Sequence, residues 1–215
     1  SIFSKIGVSS NLNYCKYLSM NVLNRNINNV FFIFALSHLI VWTLVPSITN
    51  NNLPLDTIEA LAWGSNLDWG FNKHPPLSAF AVEIFYFIFG RNDWSFYLLS
   101  QIFIVIAFFV VWKFSNEIFE DKLYSLLSVL ILSGIYFYNF TTPEFNVNVS
   151  QLPFWALSVY FFWKSINLNK KIDWILLGFF SAFGFLSKYL FIYLIASFFI
   201  YFIFNFRKFK KLIPN

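Results

Sequence analysis

LSAFAVEIFYFIFG, residues 77–90, is an apolar run that follows Pro75 and Pro76 and carries Glu83 in its middle. Runs of about 10–14 apolar residues lie against a membrane interface more often than they cross it, because a crossing helix needs roughly 20. Whether this one crosses decides the side of the membrane on which every later loop stands. Working outward, further apolar blocks cover approximately 30–48, 96–112, 123–140, 149–163, 174–187 and 189–206. If 77–90 crosses, the Lys170/Lys171 pair and the Arg207–Lys211 run face outward, and the loops 49–76 and 141–148 lie on opposite sides. If it only lies at the interface, both basic groups face inward and the two Asn-rich loops share the outer face. Cytoplasmic loops carry an excess of Lys and Arg, and acidic residues count little in that rule. The second arrangement is therefore expected, despite Lys113 and Lys122 in the loop 113–122.

Composition agrees with a membrane setting. Of 215 residues, 58% are hydrophobic, 24% aromatic and only 12% charged, with mean hydropathy +0.62. Soluble domains carry about 25% charged residues, so this chain lacks the polar surface to cover itself in water. The expected fold is all-α: a polytopic transmembrane bundle of about six spans, with interfacial helices in the first outer loop. The expected organisation is an N-terminal cytoplasmic segment 1–29, a transmembrane module 30–206 with outer loops 49–95 and 141–148, and a basic cytoplasmic tail 207–215. The net charge of +5 sits at block ends, where cations orient the chain or meet anionic lipid; a nucleic-acid partner is not expected. Cys15 is the single cysteine, which excludes an internal disulfide or a cysteine metal cluster. The chain starts at Ser1, and its single methionine is Met20; it reads as an N-terminal part of something longer.

The polar residues that invite chemistry stand in the outer loops. In LPLDTIEALAWGSNLDWGFNKHPPL (53–77), Asp56 opens a helical pattern in which Ile58, Leu61, Ala62 and Ser65 share one side and Asp56 and Glu59 the other. Two carboxylates on one face suit a base and an orienting group. The same spacing also suits an N-terminal capping arrangement that satisfies backbone N–H groups, and the two roles can coexist. Pro75 and Pro76 stiffen the chain after Lys73 and His74 and hold both at the water–lipid boundary. There they could meet a phosphate, or the lysine could snorkel while the histidine closes a turn. In TTPEFNVN (141–148), Glu144, Asn146 and Asn148 could bind sugar hydroxyls or a divalent metal, or form a plain Asn-rich turn. Lys188 lies between two apolar blocks and is a functional candidate for that reason. His38, inside the first block, reads more simply as a helix-to-helix contact, and Glu83 as the polar side of the interfacial run.

The order LDTIEALAWG, GFNKHPPL, TTPEFNVNVSQLPFWAL, GFLSKY resembles the bacterial family 39 type of membrane glycosyltransferase. That group is related to protein O-mannosyltransferases and lipid A aminoarabinose transferases. The likeness covers roughly residues 30–206. It implies a GT-C fold in the bacterial inner membrane, with the active site on the periplasmic face. Such enzymes take a sugar from a polyprenyl-phosphate donor and pass it to an acceptor hydroxyl on lipid A, another glycan or a protein. It further implies Asp56 as the base, Glu59 as its acidic partner, and Lys73, His74 and Lys188 as residues that meet the lipid phosphate. Two departures stand out. Asn148 falls near a position often occupied by Asp in the family, and an amide cannot act as a base, which leaves Glu144 as the substitute. The paired prolines are preceded by Lys73-His74 where aminoarabinose transferases have Glu-Lys, so a metal role does not carry over; no cofactor is assigned and a divalent metal stays open. Rival classes are a transporter fragment, for which the spans hold few ionisable groups, and a non-catalytic membrane subunit.

Overall fold

The structure is a computed structural model that describes residues 3–206, with side chains placed from residue 26. It is all helical. Eight α-helices are described: α1 (Phe3–Thr49), α2 (Leu55–Gly64), α3 (Leu77–Phe89), α4 (Asp93–Ile118), α5 (Lys122–Ser133), α6 (Val147–Leu168), α7 (Lys171–Ser187) and α8 (Ile192–Phe204). Short 3-10 turns cover Tyr136–Tyr138 and Tyr189–Phe191. Within these bounds, Asn26–Thr49 and Asp93–Ile118 are long and apolar enough to cross a membrane. Helix α1 joins the expected N-terminal segment and the first apolar block in one element. The basic tail 207–215 lies outside the described residues.

Local chemistry explains most element ends. Pro76 stands at the N-cap of α3, where the missing proline N–H costs nothing. Gly90 ends that helix at φ 67, a conformation that a residue without Cβ reaches without strain. Thirteen residues at 1.5 Å each give α3 a length of about 20 Å, short of a hydrocarbon core about 30 Å thick. Asp121 caps α5 by accepting from the Leu123 N–H at 2.9 Å. The apolar block 123–140, expected as one span, is not one helix: α5 stops at Ser133. Gly134 follows, and the Asn139 side chain donates to the Ser133 carbonyl at 2.8 Å. A side chain that competes for the last carbonyl marks the end of the helix where hydropathy alone reads straight through.

Helix α4 is the centre of the bundle and packs against α1, α3, α5 and α6. Its Phe96, Leu99, Ile104, Phe108 and Trp112 are buried. Trp112 stacks on Phe31 of α1 with ring centroids 4.7 Å apart, and Phe103 meets Phe145 edge-on at 5.2 Å. On the other side, α6 lies along α7, and Ser181 of α7 donates to Ser158 of α6 at 3.3 Å. Helix α8 leans on this pair through rings, with Phe198 stacked on Phe162 at 4.1 Å. Hydroxyl-bearing and small side chains at such contacts let helices approach closely where lipid removes the hydrophobic drive between them.

The α2–α3 crossing is the tightest case that bears on the loops. Ala60 and Gly64 of α2 face Ser78, Ala79 and Val82 of α3, all buried. A Cβ on Gly64 would stand 2.8 Å from the Ala79 carbonyl oxygen, whereas one on Gly178 would meet nothing within 4 Å. Gly64→Ala therefore lowers the thermal midpoint, since overpacking costs about 1–3 kcal/mol. Gly178→Ala holds or raises it, because alanine favours a helix by about 1 kcal/mol over glycine. Equal midpoints for the two variants in a detergent-solubilised melt would contradict this crossing.

Candidate active site

The N-terminus of α2 is docked on the loop 141–148. A helix leaves its first N–H groups without partners, and Pro54 at the N-cap offers no side-chain hydrogen bond. Glu144, 88 residues along the chain, fills the gap: its Oε1 accepts from the Asp56 backbone N–H at 3.1 Å. The Thr57 hydroxyl donates to the Phe145 carbonyl at 3.2 Å, and Asn146 Nδ2 donates to Asp56 Oδ2 at 3.3 Å. The capping reading of Asp56 and Glu59 is thus corrected. Helix α2 starts at Leu55, so Asp56 stands in its first turn and a carboxylate from another loop does the capping. The Asp56 Oδ1 and Glu144 Oε2 atoms keep no hydrogen-bond partner among the described residues.

The loop itself is fastened twice. From below, α4 contributes Ser100, whose hydroxyl donates to the Thr142 carbonyl, and Gln101, whose Nε2 donates to Thr142 Oγ1 at 3.0 Å. Thr142, Ser100 and Gln101 are fully buried, where an unpaired polar group would cost about 1–3 kcal/mol. His38 of α1 meets Phe108 of α4 edge-on at 5.1 Å, and its Nε2 makes no hydrogen bond among the described residues, so the expected bond to a neighbouring helix is replaced by a ring contact. From the side, Asn146 Oδ1 accepts from the Asn148 and Val149 N–H groups at 2.9 and 3.2 Å, which starts α6. The Asn-rich turn is thus also the loop on which α2 docks.

Lys188 stands just past the end of α7 and donates to Asn148 Oδ1. It belongs to the same cluster as Asp56, with Asn146 and Asn148 between them. Burial holds the Lys188 ammonium below its usual range. Lys73 pairs with Glu59 at 2.9 Å, a bond that raises the Lys73 pKa and commits Glu59 to the lysine rather than to Asp56. Trp63 stacks on Phe71 at 5.1 Å and meets the His74 ring edge-on at 5.8 Å, while the His74 carbonyl accepts from the Phe71 N–H at 3.1 Å. His74 accordingly closes the turn and presents its ring beside Asp56 and Glu59. Trp69 stays largely exposed, and Glu83 lies over Gly64.

Beside them lies a cavity of about 260 Å³ whose walls include Asp56, Thr141, Glu144, Asn146, Asn148 and Leu152. A second cavity, about 460 Å³, opens on the far side of Glu144 against the end of α1. Carboxylate oxygens and amides in such a space, with the half-buried Lys188 ammonium bonded to Asn148, can hold hydroxyls, take a proton and stabilise an anion. Among the described residues no three His, Cys, Asp or Glu side chains converge as metal ligands. Ser100 and Gln101 escaped the sequence reading. Their signal was present, since adjacent polar residues inside an apolar block must find partners.

An all-helical bundle with spanning candidates and an acidic pocket at one helix end defines a class, membrane proteins with a polar site built on their loops. Residues 73–215 match the family described as dolichyl-phosphate-mannose-protein mannosyltransferase, and the chain belongs to that family, a GT-C glycosyltransferase family. The matched stretch contains Lys73, His74, Glu144, Asn148 and Lys188 and begins after Asp56 and Glu59. A curated relative is the undecaprenyl phosphate-alpha-4-amino-4-deoxy-L-arabinose arabinosyl transferase of Wigglesworthia glossinidia brevipalpis. It is 28% identical over 130 residues, which is 57% of this chain and 22% of that protein. No solved structure matches.

His74 offers a check on the electrostatics. Burial first, and then the Lys73 charge, push its pKa below the usual 6.5. The folded state thus binds the proton less well than the unfolded chain, and stability from the neutral ring is full above 6.5 and falls as pH drops below it. Lys73→Met removes a repelling cation and releases Glu59, so the ring titration followed by NMR moves upward. A wild-type midpoint at or above 6.5, or a downward move in the variant, contradicts this arrangement.

Proposed function

We propose that the chain carries the donor-binding and acid–base part of a glycosyltransferase that moves a sugar from a polyprenyl-phosphate carrier to an acceptor hydroxyl. The reaction takes place at the periplasmic face of the bacterial inner membrane. The observation that carries this reading is the convergence of Asp56, Glu144 and Asn148 on one cavity, from segments far apart in sequence, with Lys188 bonded to Asn148. A sugar bound through phosphate already has a leaving group. The acceptor oxygen forms a bond to the anomeric carbon as the bond from that carbon to the phosphate oxygen breaks, and the electron pair leaves on the phosphate. Asp56 takes the acceptor proton through Oδ1, the oxygen that Asn146 leaves open. Lys188, with Lys73 and His74 nearer the membrane boundary, faces the negative charge that grows on the phosphate. Glu144 and Asn148 orient hydroxyls.

The topology that suits this chemistry puts α3 at the interface and residues 1–29 and 207–215 on the cytoplasmic side; its six spans count α5 with the turn Tyr136–Tyr138 and α8 with the turn Tyr189–Phe191, because each of these helices alone is no longer than α3. The loops 49–95 and 141–148 then share the periplasmic face. Lipid, glycan and protein acceptors all present the hydroxyl this scheme requires. The relative that covers part of this chain is named for transfer from undecaprenyl phosphate, which supports a polyprenyl carrier here.

Asp56→Asn keeps the shape and the Asn146 contact but cannot hold a proton. Turnover with a polyprenyl-phosphate sugar falls by about 10²-fold or more, the usual worth of a general base, while the lipid donor still binds. Turnover equal to wild type would remove Asp56 from the chemistry and favour a non-catalytic membrane subunit.

A further inference from the structure

The turn 71–76 lies against the side of α2 that carries Glu59 and Trp63. Its Phe71 N–H donates to the His74 carbonyl at 3.1 Å, so residues 71–74 hold together as one unit. The unit hangs between two unlike ends. Gly70 stands in open space before it, and the buried, stiff Pro75-Pro76 pair follows it. The clasp on α2 comes from Glu59 and Trp63, spaced i, i+4 on one helix face. Glu59 pairs with Lys73 at 2.9 Å, the lysine side chain being 56% exposed. Trp63 takes the Phe71 ring in a stack and the His74 ring edge-on. Behind the His74 ring is a space walled by Asp56, Glu59, Trp63, His74, Ser78 and Asn146. Its volume is about 10 Å³, no more than one water needs. A polar wall filled by a ring and shut by an exposed ion pair is easily reopened, since such pairs hold weakly.

We propose that residues 71–76 form a strap latched beside Asp56 by the Lys73–Glu59 pair, and that a lipid phosphate opens it by drawing Lys73 away from Glu59. The choice of ligand rests on the glycosyl-transfer reading; the latch itself does not. In the closed state Glu59 already answers the Lys73 charge. A phosphate therefore gains more from the open state and shifts the population toward it. Opening withdraws the His74 ring from the wall. It also leaves the Glu59 carboxylate, on the wall it shares with Asp56, free to accept from a hydroxyl. Arrival of the phosphate and access to this side of Asp56 are thereby one event.

The test follows a thiol placed in the closed space, in the full chain in nanodiscs, with Cys15→Ser to remove the single native cysteine. Ser78→Cys stands at a wall position only 1% exposed, so iodoacetamide reaches it at a rate set by the open fraction. Val147→Cys, on the same wall, takes its place should Ser78→Cys fail to fold. Glu59→Gln should speed labelling by roughly two- to fivefold, the weight of an exposed ion pair. Asp68→Asn removes an exposed carboxylate outside the clasp and should leave the rate unchanged. Farnesyl phosphate should speed labelling where Glu59 is intact but not in Glu59→Gln, and farnesol should do neither. Inorganic phosphate with the same effect supports the latch and makes the lipid chain dispensable; an effect confined to farnesyl phosphate supports a membrane-borne ligand. Labelling that Glu59→Gln leaves at the wild-type rate, that farnesol speeds as well as farnesyl phosphate, or that farnesyl phosphate slows or leaves unaltered in the wild-type latch overturns the proposal. No sugar moves in any arm, so failure here is separable from failure of the Asp56 chemistry.

Discussion

The bond from the Asp56 backbone N–H to Glu144 Oε1 is the contact on which the rest of the site depends. Helix α2 is only ten residues long, and helices that short are marginal alone in water. It has no side-chain cap of its own. A carboxylate near the N-terminus satisfies an orphan donor and also meets the positive end of the helix dipole, an effect typically worth 0.3–1 kcal/mol. With the Thr57–Phe145 and Asn146–Asp56 bonds beside it, that contact fixes where Asp56 points. The loop that supplies it is held by Ser100 and Gln101, deep in the central helix. The order of dependence therefore runs from the buried polar pair of α4, through Thr142, to Glu144 and then to Asp56.

This arrangement also divides the charges usefully. Glu59 and Lys73 neutralise each other at the exposed edge, where such a pair contributes little to stability. Its effect is local: Lys73 is held beside His74 and the small turn braced by Trp63. Lys188 and Asn148 form the inner edge, with the lysine partly desolvated. Asn148 cannot serve as a base, yet it lines the cavity and is a neutral acceptor for the Lys188 ammonium. Asp56 and Glu144 both line the smaller cavity, each with one carboxylate oxygen that has no hydrogen-bond partner among the described residues.

Much of this was legible in the sequence, and the misses have physical causes. Long apolar blocks became α1, α4, α6 and α7 because length and composition alone decide such helices. Pro75-Pro76 marked the start of α3 correctly, since proline tolerates only the first positions of a helix. The block 123–140 misled because hydropathy is blind to the Asn139 side chain that captures a helix-end carbonyl. Asp56 and Glu59 suggested a local cap because their spacing satisfies that pattern; a cap delivered from 88 residues away leaves no trace in local spacing. The same limit hid the role of Gln101, whose partner is set by tertiary packing. The buried small-residue face of α2, with Ala60 and Gly64, was also missed, because its neighbours are more hydrophobic and drew the eye to the opposite side.

Amide hydrogen exchange at Asp56, read at single-residue resolution in wild type and Glu144→Ala, addresses the docking of α2 most directly. Nothing else described in the fold accepts from that N–H, so its protection reports the Glu144 contact alone. Exchange should speed up by tenfold or more in the variant while the amides of α4 hold their rates. An Asp56 amide that exchanges freely in wild type, or equally slowly in both proteins, would mean that the two loops do not meet as described.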